Sequence, residues 1–204
     1  MSGKLALLGA LVALLVVSMM SVVGAAAGSR SASADATARL KDVEGDFVGW
    51  VRFEAQKGGV VEVEAKVDGV KPPGEFHGFH LHTTGKCDPD AVDPATDEVV
   101  PFFSAGGHFN PTSEIHGEHA GDFPVLLVMK NGQAQEKFKT DRFKLSQLFD
   151  EDGSAVIVHA GRDNYANIPD RYHSHDFDVF GPDELTKATG DAGDRFACGV
   201  VRRS

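Results

Sequence analysis

The sequence predicts an all-β domain, a sandwich or barrel, and three observations carry that expectation. Short segments alternate apolar and polar residues with the two-residue period of a half-buried strand. Glycine and proline gather between those segments, 23 Gly and 9 Pro in 204 residues. Few segments fit a long amphipathic helix, and short strands with Gly/Pro-rich connections close as sandwiches or barrels.

Residues 47–53 (FVGWVRF) and 60–67 (VVEVEAKV) alternate most clearly, and Lys57-Gly58-Gly59 between them is a hairpin turn signal. Residues 67–70 (VDGV) and 72–74 (PPG) supply further turns. Strands are also expected at 76–82, 123–129, 136–140, 155–159 and 196–201, with one short helical turn at 144–149. Two connections are long, residues 83–122 and 160–195. Loops of that length without structure of their own are usually functional or disordered.

The first residues stand apart from this pattern. Lys4 is the one basic residue of the opening, and residues 5–28 (LALLGALVALLVVSMMSVVGAAAG) carry no charge. A basic start, an apolar run and small residues behind it read as an export signal, with cleavage after Ala27 or after Ala34. The run is also long enough to cross a bilayer. A retained anchor is therefore the rival reading, and only that rival attaches the protein to a membrane. Residues 29–36 read as a Ser/Ala/Gly linker. The expected division is residues 1–34 as leader or anchor plus linker, and residues 35–204 as one β domain. At about 170 residues, that domain can bury its own core.

The chain carries a formal charge of −10; without Lys4 and Arg30, and with no acid before Asp35, the domain carries −12. Such a surface disfavours nucleic acid and anionic membrane as partners. Only two cysteines occur, Cys87 and Cys198. An even pair in an exported protein reads as one disulfide.

Six of the nine histidines, with one aspartate, form a metal-ligand constellation. His80 and His82 stand at i and i+2 on an apolar strand candidate, so both rings point to one face and can reach one ion. His159 ends the segment AVIVH and can complete a three-imidazole site. His108, His116, His119 and Asp122 lie in a loop interrupted by Gly106, Gly107, Gly117 and Gly121. Three imidazoles and a carboxylate can fold around a tetrahedral zinc. Imidazole suits copper and zinc alike, and a carboxylate neutralises part of a divalent charge. Each piece alone has a bland alternative, an exposed edge-strand pair or a solvated polar loop.

Taken together, the motifs resemble the copper/zinc superoxide dismutases, in particular exported bacterial members of the actinobacterial kind. The resemblance runs from about residue 38 to 201 and rests on five ordered motifs. These are GFHLH at 78–82, GHFNP at 107–111, His116 with His119 and Asp122, VHAG at 158–161, and GDAGDRFACGV at 190–200. It implies a Greek-key β-barrel with the metals outside it, between two long functional loops. It also implies a superoxide dismutase, an enzyme turning two superoxide anions and two protons into dioxygen and hydrogen peroxide, with copper and zinc as cofactors. His80, His82, His108 and His159 would hold copper. His108 would be shared with zinc, whose other ligands would be His116, His119 and Asp122. Cys87 would be bonded to Cys198. Asp163 falls where the family has a carboxylate linking a copper histidine, here His80, to a zinc histidine, here His116, which fixes ring tautomers. Arg195 would stand beside the copper as anion guide.

Elementary chemistry supports those roles. His108, shared between two cations, is the natural proton carrier. Arg195 is permanently charged and has two nitrogens to dock a diatomic anion. Local positive charge in a cleft can steer an anion toward a protein whose net charge repels it. The ordinary alternative for Arg195 is a salt bridge with Asp191 or Asp194.

Residues 88–107 are longer than in the eukaryotic enzymes. In the family such an insertion often helps to form the subunit contact, so it is a candidate homodimer contact here, with Phe102 and Phe103 read as exposed, and the eukaryotic dimer geometry is not carried over. YANIP at 165–169 is similar to actinobacterial members, some of which lack zinc. All four zinc-side residues are kept here, so zinc is expected. His173 and His175 read as a solvated loop pair, and His77 as a structural histidine behind the copper strand. The rivals are a non-catalytic copper-binding domain on the same barrel and a structural envelope sandwich. The first of these would tolerate loss of His108 or Arg195, and both are present.

Overall fold

Apolar and small residues at alternate positions draw the first three segments into antiparallel strands. In the computed structural model, which describes residues 35–204, these are β1 (Ala36–Asp42), β2 (Phe47–Ala55) and β3 (Val61–Val67). A 3-10 turn at Lys57–Gly59, with Gly58 at φ 82°, closes the β2–β3 hairpin where the Gly-Gly signal places it. β1 corrects the linker boundary. Ala36, Ala38 and Leu40 face the core, but two alanines are too small to register as an apolar stripe. The leader expected in residues 1–34 lies outside the described residues.

The chain continues through β4 (Phe76–His77), β5 (Phe79–His82), β6 (Val92–Asp93), β7 (Glu98–Val99), β8 (Leu126–Leu127) and β9 (Ala134–Thr140). Then follow β10 (Ala155–His159), β11 (His173–Ser174), β12 (Val179–Phe180), one short helix α1 (Glu184–Thr189), and β13 (Arg195–Arg203). Seven strands form one curled sheet in the order β5-β10-β13-β1-β2-β3-β9. From β3 the chain crosses to β5 at the far edge, returns to β9, and crosses again to β10. These long returns are Greek-key connections. Residues 121–129 span the gap between the edge strands. Leu81 N–H donates to the Gly121 carbonyl at 2.9 Å, Phe123 N–H to Phe79 at 3.3 Å, and Met129 N–H to Gln133 at 2.8 Å.

Two expected strands are shorter than the sequence suggests. The 76–82 segment breaks at Gly78, where an added Cβ would lie 2.6 Å from that of Ala192. The 123–129 segment keeps only Leu126–Leu127. Pro124 has no N–H to give, and the Val125 N–H goes to the Tyr165 hydroxyl.

Leu40, Val51, Phe53, Phe79, Leu81, Phe123, Leu148 and Val156 are among the residues that fill the barrel. Each such burial is worth about 1.5–3 kcal/mol. β10 is buried on both faces: Val156 and Val158 face the barrel, while Ala155 and Ile157 pack with Phe102, Ala105 and Cys198 beneath the insertion. Phe102 is thus interior, at 2 % exposed, and Phe103 is half-buried, which corrects the reading of this pair as exposed. The exposed apolar residues of the insertion are Val92 and Val99, paired across β6 and β7. A Cys87–Cys198 disulfide fastens the insertion to β13.

Candidate metal centre

The centre begins with the alternation along β5. Phe79 and Leu81 take the core face, and His80 and His82 take the outer one, opposite Ile157 and Ala155 of β10. Both long loops cover that outer face, so all four residues of β5 are buried. His159 ends β10, where the register with β13 shifts. The first loop runs back along β5 through bridges between His82 and His108 and between His80 and Asp122.

Two groups result. His80, His82, His108 and His159 bring one ligand nitrogen each within 4.8 Å of one another, and so do the ligand atoms of His108, His116, His119 and Asp122. His108 belongs to both.

Hydrogen bonds at the far side of each ring decide which nitrogen faces inward. Nδ1 of His82 and of His159 lie 2.9 Å from the carbonyls of Gly106 and Gly193. A carbonyl only accepts, so these nitrogens carry the protons. Nε2 of His80 and of His116 each lie 2.7 Å from an oxygen of Asp163. The opposite nitrogens, His80 Nδ1, His82 Nε2, His116 Nδ1 and His159 Nε2, are buried without a hydrogen-bond partner. Orphaned buried polar atoms are rare and costly. Four of them converging in two groups fit ligands of metal ions.

Distances in the second group point the same way. Asp122 Oδ1 lies 2.9, 3.2 and 3.3 Å from Nδ1 of His108, His116 and His119. The Nδ1 atoms of His119 and His108 are 3.5 Å apart. Corners of a tetrahedron with bonds of about 2.0–2.1 Å stand roughly 3.3 Å apart, as zinc requires. Asp122 Oδ2 accepts from the N–H groups of Gly117 at 2.7 Å and His119 at 3.0 Å, which turns Oδ1 toward the rings. A third convergence, of His80, His116 and Asp163, is a hydrogen-bonded bridge rather than a further ion site. Its nitrogens are the ones already bonded to the carboxylate.

The two groups differ in charge. Burial, and then the neighbouring His108, push His80 and His82 well below the ordinary imidazole range. Burial brings His159 down to about 3 against the pull of the Gly193 carbonyl. His108 is lowered too, because burial outweighs its bond to Asp122. His116 moves the other way, to about 9: burial opposes the shift, but the Asp122 and Asp163 carboxylates outweigh it. Burial also pushes Asp122 up, yet His108, His116 and His119 hold it far below the usual carboxylate range. Neutral imidazoles thus make up the first group, in the form that binds metal.

Arg195, half-buried at the start of β13, donates to the carbonyls of Phe102 and Gly106, the latter at 2.9 Å. These bonds replace the salt bridge to Asp191 or Asp194 weighed as its ordinary alternative. His77 places its ring nitrogens 2.9 and 2.8 Å from the carbonyls of His159 and Pro72, as a structural histidine does. His173 bonds Asp178 at 3.0 Å, and neither it nor His175 joins a ligand group among the described residues.

Sequence reasoning passed over what holds His116. Its N–H donates to the Lys187 carbonyl at 2.8 Å, near the end of α1. Asp183 starts that helix by accepting from Thr186 N–H at 2.8 Å, and Gly190 ends it at φ 64°. Six residues are too few to show a helical period. The available signal was the cap pair itself, an aspartate before and a glycine after.

Residues 47–201 match the family described as copper/zinc superoxide dismutase (SODC). The chain belongs to this family. The Cu-Zn superoxide dismutase of Mycolicibacterium paratuberculosis is 40 % identical over 179 residues, 87 % of this chain and 78 % of the relative. That of Mycobacterium tuberculosis is 39 % identical over 166 residues, 81 % and 69 % of the two chains. The solved Cu/Zn superoxide dismutase from Brucella abortus superposes with a TM-score of 0.61 at 26 % identity, covering 81 % of this chain and 98 % of that one. A SOD-like protein from Bacillus subtilis gives a TM-score of 0.58 at 29 % identity, covering 80 % and 96 %. Copper and zinc are the cofactors of a copper/zinc superoxide dismutase, and the two donor groups of this one fit one ion each.

Proposed function

We propose that the chain is a superoxide dismutase, converting two superoxide anions and two protons into dioxygen and hydrogen peroxide. One observation carries the reading: a single ring, His108, serves both donor groups. In this assignment His80 through Nδ1, His82 and His159 through Nε2, and His108 hold copper, while His108, His116, His119 and Asp122 hold zinc. When bound, copper supplies two oxidation states that take an electron from one superoxide and return it to another, and zinc supplies fixed charge without redox chemistry.

The protein's own groups do the rest. His108 turns Nδ1 toward Asp122, which leaves Nε2 for the copper side as the atom that holds a proton and hands it to the reduced anion. Burial lowers the affinity of this ring for a proton, against the pull of its bond to Asp122. Arg195 draws the anion in. Its charge is permanent, and two carbonyls hold it in place before the anion arrives. That local charge offsets the long-range repulsion of a domain at −12. Asp163 fixes the tautomers of His80 and His116 together, and so couples the two donor groups.

The disulfide and the bacterial relatives support export. Residues 1–34 then act as the leader and residues 35–204 as the enzyme domain, with membrane attachment only where the leader is retained. A homodimer would rest on the exposed Val92 and Val99 of the insertion.

Metal analysis and a dismutation assay on the mature protein, loaded with both metals and measured with and without a copper chelator, test the reading. The expected result is bound copper and zinc, with activity lost to the chelator. Bound copper without activity moves the chain to a non-catalytic copper-binding domain. No bound copper removes both.

A further inference from the structure

Tyr165 stands beside the zinc-side group, against His116, the Asp163 carboxylate and the peptides that follow Asp122. Its ring lies over His116, centroids 6.2 Å apart and planes 13° from parallel. Its N–H donates at 2.7 Å to Asp163 Oδ1, the same oxygen that faces His116 Nε2. Its hydroxyl accepts from Val125 N–H at 2.8 Å and donates to the Phe123 carbonyl at 3.1 Å. Pro124, between those two residues, has no donor of its own. The hydroxyl therefore fastens the peptides directly after Asp122.

Two further observations mark this residue. Tyr165 and Ala166 hold positive φ values, 54° and 53°, a conformation that side-chain-bearing residues keep only where their surroundings impose it. Gly117, the neighbour of His116, is pressed so closely that an added Cβ would lie 2.7 Å from the Tyr165 carbonyl oxygen.

Arg142 braces the same loop from outside. Its Nη1 donates to the carbonyls of Gly117 and His119, both at 3.1 Å. Tyr165, Arg142, His116 and Asp122 line one cavity of about 700 Å³, in which His80, His82, His159 and Arg195 take no part. Two of the zinc-side ligands, His116 and Asp122, thus line an opening to solvent separate from the Arg195 side. A bound ion can leave only after a ligand swings away, and on the cavity side these two residues restrain that swing.

We infer that Tyr165 and Arg142 are positioning residues for His116, His119 and Asp122, and that they set the rate at which zinc exchanges through this cavity, independently of copper. The inference rests on the proposal that this group holds zinc. The test uses protein loaded with both metals: wild type, Tyr165→Phe, Arg142→Ala and Arg142→Lys. Zinc release is followed with a zinc-responsive dye, and the Cu(II) absorption band and thermal transition are recorded on the same samples. Tyr165→Phe keeps the stacked ring and loses only the hydroxyl's two bonds.

One or two net hydrogen bonds correspond to a factor of about 5–30. Tyr165→Phe and Arg142→Ala are expected to release zinc faster by about that factor, with the copper band unmoved, and Arg142→Lys is expected to restore part of the loss. Unchanged release in both Tyr165→Phe and Arg142→Ala overturns the inference. So does faster release matched by equal copper loss and a lowered thermal transition, since that is general loosening. Wild-type protein that takes up no zinc would instead overturn the zinc assignment itself.

Discussion

Arg195 and His82 donate to the same backbone oxygen, the Gly106 carbonyl, each at 2.9 Å. The loop that fixes the tautomer of His82, a proposed copper ligand, therefore also holds the Arg195 guanidinium. Gly106 has φ 74°, and an added Cβ there would lie 2.6 Å from the Thr83 hydroxyl, so a side chain at this position would disturb the shared carbonyl. Arg195→Ala is expected to lower the dismutation rate about tenfold while copper stays bound, and Arg195→Lys to fall between, keeping charge but losing the planar fork. Rates at two ionic strengths check this; an unchanged rate would reassign anion steering to other groups.

His108→Ala removes the one ring common to both donor groups. The expected outcome is a shifted Cu(II) absorption spectrum that no longer responds to zinc. A copper spectrum identical to that of the wild type counts against the shared ligand.

Gly190 passes so close to the Asp163–His116 hydrogen bond that a methyl group on it would overlap Oδ1 of one and Nε2 of the other. Gly190→Ala should separate them, and its φ of 64° adds backbone strain. Groups that orient metal ligands are typically worth about 10–100-fold in affinity. Zinc affinity is expected to fall by that order, measured by competition with a chelator of known affinity.

Acid should destabilise the chelator-treated protein. His80, His82, His108 and His159 all lie below the ordinary imidazole value of 6.5 when folded, His159 at about 3. Below that value the unfolded chain binds more protons than the folded one, so stability falls as pH drops from about 6.5 toward 3. His116, raised to about 9, has the opposite sign: its contribution is full below 6.5 and lost as pH rises through 9. Four groups outweigh one, so the melting temperature should be lower at about pH 5 than at about pH 7. A rise on acidification would contradict neutral imidazoles in the first group.

Reducing Cys87–Cys198 opens a loop with a sequence separation of 111 residues. The chain-entropy estimate for such a loop is about 4–5 kcal/mol. Thermal or denaturant unfolding with and without reductant should show a loss of that order, with metal release rising as the insertion detaches from β13. Equal stability in both states would leave the bond without a structural role.

Most of the ligand set was legible because it is written in residue type and short spacing. His80 and His82 share a face by the two-residue period of a strand, and VHAG carries its histidine at the end of β10. Local rules also marked β2 and β3 by their alternation, β10 by its unbroken apolar run, and the latter part of β9. They missed β1, where alanine supplies two of the inward positions, and α1, whose six residues are shorter than two helical turns.

By itself the sequence determined the all-β class, the candidate ligands and the cysteine pair, since each depends on chemistry carried by a residue or its near neighbours. Only the tertiary structure decided that Phe102 is interior, which nitrogen of each imidazole is left free, and that Gly190 and Tyr165 meet His116; the Asp163 bridge was expected from the family resemblance alone. Those outcomes depend on groups as much as 83 residues apart, as with His80 and Asp163. A one-dimensional pattern holds no information about such pairings until the barrel closes and both long loops fold onto the outer face of β5.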